Sequence, residues 1–439
     1  MCLFLLLVLL ILFAAFTITL CNGDAMEPAA LSVESFAVVT LISFCYNGFQ
    51  KSDISIYTIF FIITALVVYL ISYFLTKGFL QLSGVINFSS KKNFFYMPGK
   101  FFSFCLFIIE LFAFYYTFRA TYSIARSVNA GASLMNMLEY TRNAYLFTDA
   151  SMGVISSVLS FYATSVGYFY TYVLIRYCLE DQKFYIKKLF RCKLEMLMVL
   201  LSLFSSMLGT GRTFLIKYIV FLFAVIYYLH FFKEKVKRFS FNKMAGTIKK
   251  MVFAVVIFFV LFQLMGITTN KTGNRSTVDM LYQYSGSAVV ALDRSIENYE
   301  YDGRFFGEES FYGLYGFLNA LGADIPNEIL HLPFVDVGEG QRTNIYTSLR
   351  TYLYDFGYLG MYIVQLLLGV VSAVMYAILY RMDGQPIYML VYGILLYGTA
   401  MQGIEEITLR NFMSITNVFV VLFFSAFYII TQRKIRIRT

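Results

Sequence analysis

Residues 54–76 read ISIYTIFFIITALVVYLISYFLT and contain no charged side chain. An α-helix rises about 1.5 Å per residue, so about 20 apolar residues cross a hydrocarbon core of about 30 Å. This stretch is therefore long enough to span a bilayer as one helix. Ten further stretches qualify or nearly qualify, so the sequence predicts eleven spanning helices, at residues 1–20, 29–46, 54–76, 101–119, 150–175, 194–210, 213–232, 251–267, 351–380, 386–403 and 412–431.

The composition of the whole chain indicates a polytopic membrane protein. Hydrophobic residues make up 59% of the 439 residues and charged residues 14%, against roughly 45–50% and 25% in an average soluble domain. We therefore predict an all-α fold of eleven transmembrane helices, or of twelve if a further span or re-entrant piece lies within residues 20–54 or 120–150. The first stretch has no basic residues ahead of it, and we interpret it as a retained helix rather than a signal peptide.

Lysine and arginine counts predict the orientation. The connections 77–100, 176–193 and 233–250 hold four, six and seven basic residues, and cytoplasmic loops are enriched in such residues. Residues 268–350 hold six basic and eleven acidic residues, which predicts that this segment lies outside. Eleven spans with a cytoplasmic C-terminal tail put the N-terminus outside and the turn at Asp24 and Glu27 inside, whereas an acidic turn favours the outside, so the N-terminal orientation stays open. The net charge of +9 is explained by topology, so no nucleic-acid partner is expected.

The chain is thus predicted to have four parts. They are transmembrane helices 1–8 with basic cytoplasmic loops (1–267), a large periplasmic loop (268–350), transmembrane helices 9–11 (351–431) and a basic cytoplasmic tail (432–439). A connection as long as the second part is uncommon unless it has structure or function of its own. Within it, the spacing of apolar residues predicts one short helix at Ser287–Glu297 and another at 311–321.

Several familiar chemistries are excluded by inspection. The chain has no GxxxxGK[ST] phosphate-binding loop, no HExxH motif and no Asp-x-Asp pair to hold a divalent ion. Its two histidines, His230 and His331, are predicted on opposite sides of the membrane. The sequence therefore predicts chemistry without a metal or cofactor, carried by cationic and carboxylate side chains on the outer face.

The first candidate site is the turn Gly209-Thr210-Gly211-Arg212-Thr213 between two spans, with Lys217 about one turn further along the second span. A guanidinium group presents a planar fork that fits phosphate oxygens. A lysine within lipid has to face protein or a wet cavity. The alternative is that Arg212 only anchors a helix end among lipid headgroups.

The second candidate site is residues 341–360, QRTNIYTSLRTYLYDFGYLG. A helix from about residue 344 would place three positions on successive turns of one face: Tyr346 or Thr347, Arg350 or Thr351, and Tyr354. Asp355 then enters the membrane boundary and requires a partner, for which Arg350 and Arg342 are the candidates. The alternative is a structural ion pair that closes the helix bundle.

The same residues carry a resemblance to a known family. The runs Asn344-Ile345-Tyr346-Thr347 and Asp355-Phe356-Gly357-Tyr358-Leu359-Gly360 resemble stretches that recur in Wzy-type polymerases of oligosaccharide (O-antigen) repeat units. Gly307-Glu308-Glu309-Ser310-Phe311 and the turn that begins at Gly209 are similar to further patterns of that family. The resemblance covers roughly residues 209–420, and the predicted spans with one dominant outer loop match over the whole length.

The resemblance implies a GT-C-like polymerase or ligase architecture and a glycosyltransferase of the bacterial inner membrane whose site faces the periplasm. The growing O-antigen or capsular glycan would leave its undecaprenyl diphosphate carrier and be attached to the terminal sugar of a fresh lipid-linked unit. The implied partners are the lipid-linked donor and acceptor glycans, the membrane lipids and, by family analogy, a chain-length regulator.

That chemistry assigns roles to the outer charged residues. A diphosphate leaving group without a metal needs clustered cations, and the outer supply is Arg212, Lys217, Arg275, Arg342 and Arg350. The acceptor hydroxyl needs a positioned base, for which the candidates are His331, Asp336, Glu339 and Asp355. His331 has the ordinary pKa nearest neutrality, yet a histidine between two leucines is more often a packed or surface residue.

Three other functions stay open. An O-antigen ligase would move the finished glycan to another acceptor, a polysaccharide flippase or other transporter would carry it across the membrane, and a scaffold for envelope assembly would have no activity. The large outer segment counts against a transporter. Glu110, near the middle of the fourth span, either pairs with a basic residue of another helix or stays neutral against a hydroxyl.

Overall fold

The computed structural model describes residues 1–48, 53–84, 97–134, 136–148, 150–180, 183–184, 186–209, 213–231, 277–297, 305–326, 332–338 and 340–436. The described chain is mostly helical. The helices are α1 (Cys2–Leu20), α2 (Pro28–Asn47), α3 (Ile56–Leu82), α4 (Lys100–Val128), α5 (Met137–Phe147), α6 (Val154–Cys178), α7 (Ile186–Leu189), α8 (Lys193–Met207), α9 (Thr213–Phe231), α10 (Thr277–Leu281), α11 (Ser287–Glu297), α12 (Tyr312–Ala320), α13 (Ser348–Arg381), α14 (Pro386–Met401), α15 (Thr408–Phe412) and α16 (Ile415–Arg436).

Short non-α elements complete the described chain. A π-helical turn, Tyr282–Gly286, joins α10 to α11. Two antiparallel hairpins pair β1 (Leu179–Glu180) with β2 (Lys183–Phe184) and β3 (Val335–Asp336) with β4 (Arg342–Thr343).

Seven helices in the described part of the chain are long and apolar enough to cross a membrane: α1, α2, α3, α4, α6, α13 and α16. Helices α9 and α14 are apolar but shorter, and the predicted span 194–210 corresponds to α8, with 15 residues. The predicted span 251–267 lies outside the described residues. The prediction of an all-α membrane protein is confirmed, because the seven helices fall on seven of the predicted spans.

The chain forms two compact units, each assembled from separate stretches of sequence. The described residues of unit 1 come from 1–84, 277–382 and 394–417, and those of unit 2 from 97–231, 383–393 and 418–436. The described part of the segment 268–350 from residue 277 onwards therefore packs within unit 1, together with α1, α2, α3 and α13.

Polar contacts fix the loop helices of unit 1 to its membrane helices. Asp293 of α11 accepts hydrogen bonds from the Ser55 backbone N–H at 2.8 Å and from the Ser55 and Thr58 hydroxyls at 2.7 Å each. These contacts hold α11 at the N-terminus of α3, where backbone N–H groups lack helical partners. Both predicted short helices are present: α11 has the predicted bounds, and α12 lies within the predicted range 311–321.

A second set of polar contacts lies at the other end of α3. Lys77 forms an ion pair with Glu27, in the turn between α1 and α2, and the Tyr73 hydroxyl donates to the same carboxylate at 2.9 Å. The Tyr376 hydroxyl, near the end of α13, donates to Asp24 at 2.9 Å. We call Asp24, Glu27, Tyr73, Lys77 and Tyr376 the turn-side cluster.

The turn-side cluster bears on the N-terminal orientation, which the sequence left open. Lys77 begins the basic connection 77–100, which is expected on the cytoplasmic side, and it is in contact with Glu27. The acidic turn at Asp24 and Glu27 therefore lies at the same end of α3 as the basic connection. This agrees with the count of eleven spans and not with the preference of an acidic turn for the outside. Burial of Glu27 against a lysine explains why its charge does not follow the loop statistics.

Unit 2 contains an unusual buried acid. Hydrogen bonds from Tyr162 to the Leu106 carbonyl at 3.0 Å and from Tyr170 to the Ser103 hydroxyl at 2.9 Å join α6 to α4. Glu110 of α4 is fully buried, and neither of its carboxylate oxygens has a hydrogen-bond partner among the described residues. Neither the basic partner nor the hydroxyl expected for Glu110 is hydrogen-bonded to it within that part of the chain.

Candidate functional site

The site is organised by a break in α13. Gly357 has φ +70° and ψ −176°, a conformation that is essentially restricted to glycine. The chain before Gly357 is a short helix that begins at Ser348, and the chain after it continues as the longer apolar helix. Asp355, two residues before the break, is 2% exposed. The backbone conformation at residue 357 thus requires the glycine of the D-F-G run, and this break lies two residues after the buried Asp355.

The Asp355 carboxylate accepts hydrogen bonds from the backbone of a loop rather than from an arginine side chain. One carboxylate oxygen accepts the backbone N–H of Glu309 at 3.1 Å, and the other accepts the backbone N–H of Ser310 at 2.7 Å. Hydrogen bonds to an ionised acceptor are stronger than those between neutral groups. The two counter-ions expected for Asp355 do not form its direct contacts: Arg350 pairs with Glu309, and Arg342 lies on β4.

Aromatic packing joins the same two stretches. The ring of Phe356 lies 5.1 Å from that of Phe306 and 6.0 Å from that of Phe311, measured between centroids. Gly307 has φ +66°, and a Cβ there would lie 2.3 Å from the Phe311 ring. The G-E-E-S-F and D-F-G stretches, which are far apart in sequence, therefore form one interlocked contact.

The guanidinium group of Arg350, in the first turn of α13, contacts two tyrosine rings. Its guanidinium forms an ion pair with the Glu309 carboxylate, and its Cζ is 4.8 Å from the ring centroids of both Tyr346 and Tyr354. Cation–π contacts of this kind strengthen as water is removed. Arg350 thus contacts both predicted tyrosines, but the helix begins at Ser348 rather than near residue 344, so Tyr346 precedes the helix and does not lie on one of its faces.

Glu309 lies in the loop, outside the membrane-spanning helices, and is 4% exposed. Burial raises the pKa of Glu309 above its ordinary value, because desolvation penalises the carboxylate, while the Arg350 charge opposes this shift. A glutamate with a raised pKa beside a cation can hold or release a proton nearer to neutral pH than a free one.

The connection between α14 and α16 supplies a second acid. Glu406 is 1% exposed and accepts the Tyr352 hydroxyl at 3.0 Å. It also accepts the backbone N–H groups of Leu409 and Arg410 at 2.8 and 3.0 Å, which satisfies the first turn of α15. Burial raises the pKa of Glu406 as well. Glu406 therefore fixes the short helix that carries Arg410 against α13.

Arg410 is the one arginine of this region with incomplete contacts in the described chain. Its Nη1 donates to Glu405 at 2.7 Å, and its side chain is 13% exposed. Its Nε and Nη2 are buried and have no hydrogen-bond partner among the described residues. Buried guanidinium donors are costly when unsatisfied. The positive charge of Arg410 also opposes the rise in the pKa of Glu309, so Arg410 is within electrostatic range of the Arg350–Glu309 pair.

We call Glu309, Arg350, Asp355, Glu406 and Arg410 the loop-side cluster. It combines two guanidinium groups, buried acids with raised pKa in the loop and connection, and an aspartate that orders the loop. Guanidinium groups can stabilise a leaving phosphate, and a buried carboxylate can accept a proton. The arrangement therefore suits a reaction in which an anionic group leaves as a hydroxyl loses its proton.

The predicted site residues divide into three groups. Arg350 and Asp355 lie together in the loop-side cluster. Asp336 and Arg342 face each other across the β3–β4 hairpin, and Lys217 lies on α9 in unit 2. The remaining predicted residues lie outside the described chain: Arg212, Arg275, His331 and Glu339.

Two members of the cluster were missed by the sequence reasoning. Glu406 and Arg410 lie in the connection between the predicted spans 386–403 and 412–431, to which no role was assigned. The signal was present, because Glu405, Glu406 and Arg410 are concentrated in a very short connection between two apolar helices. Glu309 was noted only as part of a pattern, since nothing in the sequence indicated that it would pair with Arg350.

Comparisons of the chain with protein-family models, with curated proteins and with solved structures found no match.

Proposed function

We propose that the protein is a membrane glycosyltransferase that polymerises oligosaccharide repeat units carried on undecaprenyl diphosphate, at the loop-side cluster. The observation that carries the proposal is the buried Arg350–Glu309 pair beside Arg410, whose Nε and Nη2 have no partner among the described residues. This chemistry suits a lipid-linked diphosphate, because the cluster lies at the end of an apolar helix and offers cationic donors.

The proposed reaction transfers the growing glycan. The hydroxyl oxygen of the acceptor sugar attacks the anomeric carbon of the donor and forms a new carbon–oxygen bond, while the bond to the diphosphate breaks with its electron pair. Undecaprenyl diphosphate leaves, and the hydroxyl proton passes to a carboxylate. Neither a metal ion nor a cofactor is part of the proposal.

The cluster distributes these tasks among its residues. Arg410, with its unused donors, binds the leaving diphosphate, and Arg350 adds positive charge beside it. Glu309 accepts the proton, since its pKa is raised by burial. Asp355 acts as a positioning residue, because both of its oxygens already hold the backbone of the Glu309 loop. This assignment replaces Asp355 with Glu309 as the proposed base.

The orientation belongs to the same proposal. The segment that carries Glu309 is rich in acidic residues, and the connection that begins at Lys77 is basic. We place the loop-side cluster at the periplasmic face of a bacterial inner membrane, where lipid-linked repeat units are presented. The apolar part of α13, from the break at Gly357 to Tyr376 of the turn-side cluster, is roughly 30 Å long as an α-helix, which matches one hydrocarbon core.

A gene deletion displayed on a lipopolysaccharide gel tests this function. Loss of a polymerase leaves single capped units and removes the ladder of long chains, whereas loss of a ligase removes capping altogether. Complementation with Arg410→Gln or Glu309→Gln should leave the single-unit pattern. Arg294→Gln, at the exposed Arg294–Glu297 pair, is the matched control and should restore the ladder. An unchanged ladder after deletion would rule out the function, and a full ladder from both cluster variants would rule out the site.

A further inference from the structure

A cleft in unit 1 lies between the π-helical turn region and the β3–β4 hairpin. Its volume is about 450 Å³, within the range of roughly 300–1,000 Å³ that small-ligand sites occupy. None of the residues of the loop-side cluster lines it. Its lining residues are Asp279, Gln283, Phe334, Gly340, Gln341 and Arg342.

The polar groups of the cleft are held by the membrane helices beneath it. The Tyr46 ring stacks on Tyr282 with centroids 4.0 Å apart. The Tyr46 hydroxyl donates to Asp279 at 3.2 Å and accepts from the Gln341 amide at 2.5 Å. The Gln283 amide donates to the Arg342 carbonyl at 3.4 Å. The carboxylate and both amides are thereby oriented before any ligand arrives, which reduces the entropy lost on binding.

The lining residues present a specific combination of chemical groups. Phe334 is 56% exposed, so an apolar ring face is available at the cleft. The Asp279 carboxylate can accept hydrogen bonds, the Arg342 guanidinium can donate them, and the two glutamine side-chain amides can do both. Sugar rings match this set, because they carry an apolar C–H face and hydroxyls that donate and accept. The formal charges of Asp279 and Arg342 cancel, which disfavours a diphosphate.

We infer that this cleft binds an uncharged sugar ring, plain or N-acetylated, of the glycan on which the protein acts. The identity of that glycan rests on the proposed function, whereas the recognition chemistry rests on the cleft alone. Arg342 then contacts sugar hydroxyls rather than the diphosphate to which the sequence assigned it. The π-helical turn that contains Gln283 is consistent with this role, since such turns are frequent at functional sites.

The absence of tryptophan from the chain allows a direct test. Phe334→Trp places a single tryptophan at the cleft and keeps an aromatic ring there. The full chain in lipid nanodiscs is titrated with the methyl glycosides of glucose, galactose, mannose and N-acetylglucosamine, and with inorganic pyrophosphate. At least one glycoside should shift the emission saturably, with half-saturation on the order of a millimolar. Pyrophosphate should not shift it.

Matched variants decide whether the signal arises from the cleft. Asp279→Asn in the same background should weaken the response by about tenfold or more, because it removes a charged hydrogen-bond acceptor. Phe190→Trp, at an exposed position in unit 2, should show no response. Saturation-transfer NMR of the unsubstituted chain repeats the titration without the reporter.

Each remaining result has a fixed meaning. No response to any glycoside by either method, or a response to pyrophosphate alone, would overturn the sugar-binding cleft. An equal response from Phe190→Trp would overturn it too, since binding would not be local. These outcomes are independent of the proposed function, which fails instead if gene deletion leaves the long-chain ladder intact.

Discussion

Unit 1 contains two buried ion-pair clusters, one near each end of α13, and they differ in the hydrogen-bond donors that have no partner among the described residues. In the turn-side cluster, Glu27 is paired with Lys77 and also accepts the Tyr73 hydroxyl. In the loop-side cluster, the Arg350–Glu309 pair lies beside Arg410, two of whose nitrogens have no partner among the described residues. Both clusters stabilise the bundle, but only one offers buried donors to a ligand.

The largest expected loss of stability comes from breaking the ion pair of each cluster. Arg350→Gln and Lys77→Gln each leave a buried glutamate without its cation, and such losses cost about 3–5 kcal/mol. Both variants should unfold at lower temperature in detergent. Only Arg350→Gln should remove the long-chain ladder when the signal is normalised to folded protein in the membrane.

If Arg350→Gln and Lys77→Gln fold poorly, conservative variants at the same two positions make the comparison. Arg350→Lys and Lys77→Arg retain the charge, but Arg350→Lys loses the planar group held between two tyrosine rings. The ladder should shorten only for Arg350→Lys. Equal ladders from these two variants would mean that the two clusters do not differ in function.

A glycine substitution tests the break that positions the loop-side cluster. Gly357→Ala should cost about 1–3 kcal/mol, because φ +70° with ψ −176° is hardly accessible to alanine. Gly78→Ala, near the turn-side end of α3, has nothing within 4 Å of the added Cβ and should stabilise the helix by about 0.5–1 kcal/mol. Thermal unfolding in detergent measures both. A neutral Gly357→Ala would show that the break is not needed.

Arg410→Lys separates activity from stability. Its Nε and Nη2 make no hydrogen bond within the described chain, so the substitution should change the free energy of unfolding by no more than about 1 kcal/mol. The ladder should nevertheless be lost, because a lysine cannot present a bidentate fork to a diphosphate. Unfolding curves and gels of the same preparations provide the measurement. A stable variant with a full ladder would remove Arg410 from the site.

The smallest effect concerns pH, and it should be similar at the two ends. Burial raises the pKa of Glu309 and of Glu27 above the ordinary value of a glutamate. The folded state therefore favours the protonated acid, and its contribution to stability is full below about pH 4.3 and is lost as pH rises through the folded-state pKa. Above about pH 4.3, the unfolding temperature should therefore decrease less steeply with pH in Glu309→Gln and in Glu27→Gln than in the unsubstituted protein. A steeper fall in either variant would contradict the direction of these shifts.

The fold was largely predictable from the sequence, because each spanning helix is encoded locally as an apolar run. The short helix α11 was predicted with its bounds for the same reason, since its apolar spacing has a helical period. The contact of Arg350 with Tyr354 followed from their spacing along one helix, whereas Tyr346 reaches Arg350 from the residues before that helix. The contact between Glu27 and Lys77 could not be predicted in this way, because it joins a turn to the far end of α3.

The composition of the site was only partly predictable. Asp355 was identified from its position in an apolar run, but its partners are backbone N–H groups of a distant loop, which no side-chain pattern indicates. Glu406 and Arg410 entered the cluster because α15 packs near α13, which depends on tertiary structure. Charge in a short connection between two spans was the signal that could have revealed them.

The central claim, that the loop-side cluster transfers a glycan from a lipid diphosphate, is tested most directly with purified protein in liposomes that contain undecaprenyl-diphosphate-linked repeat units. The measurement is the amount of undecaprenyl diphosphate released for each glycosidic bond formed. For the unsubstituted protein and for Lys77→Arg, we expect one undecaprenyl diphosphate to be released for each glycosidic bond formed. For Arg410→Gln, we expect neither product. Chain growth by Arg410→Gln at the unsubstituted rate, or no product from the unsubstituted protein, would contradict the account.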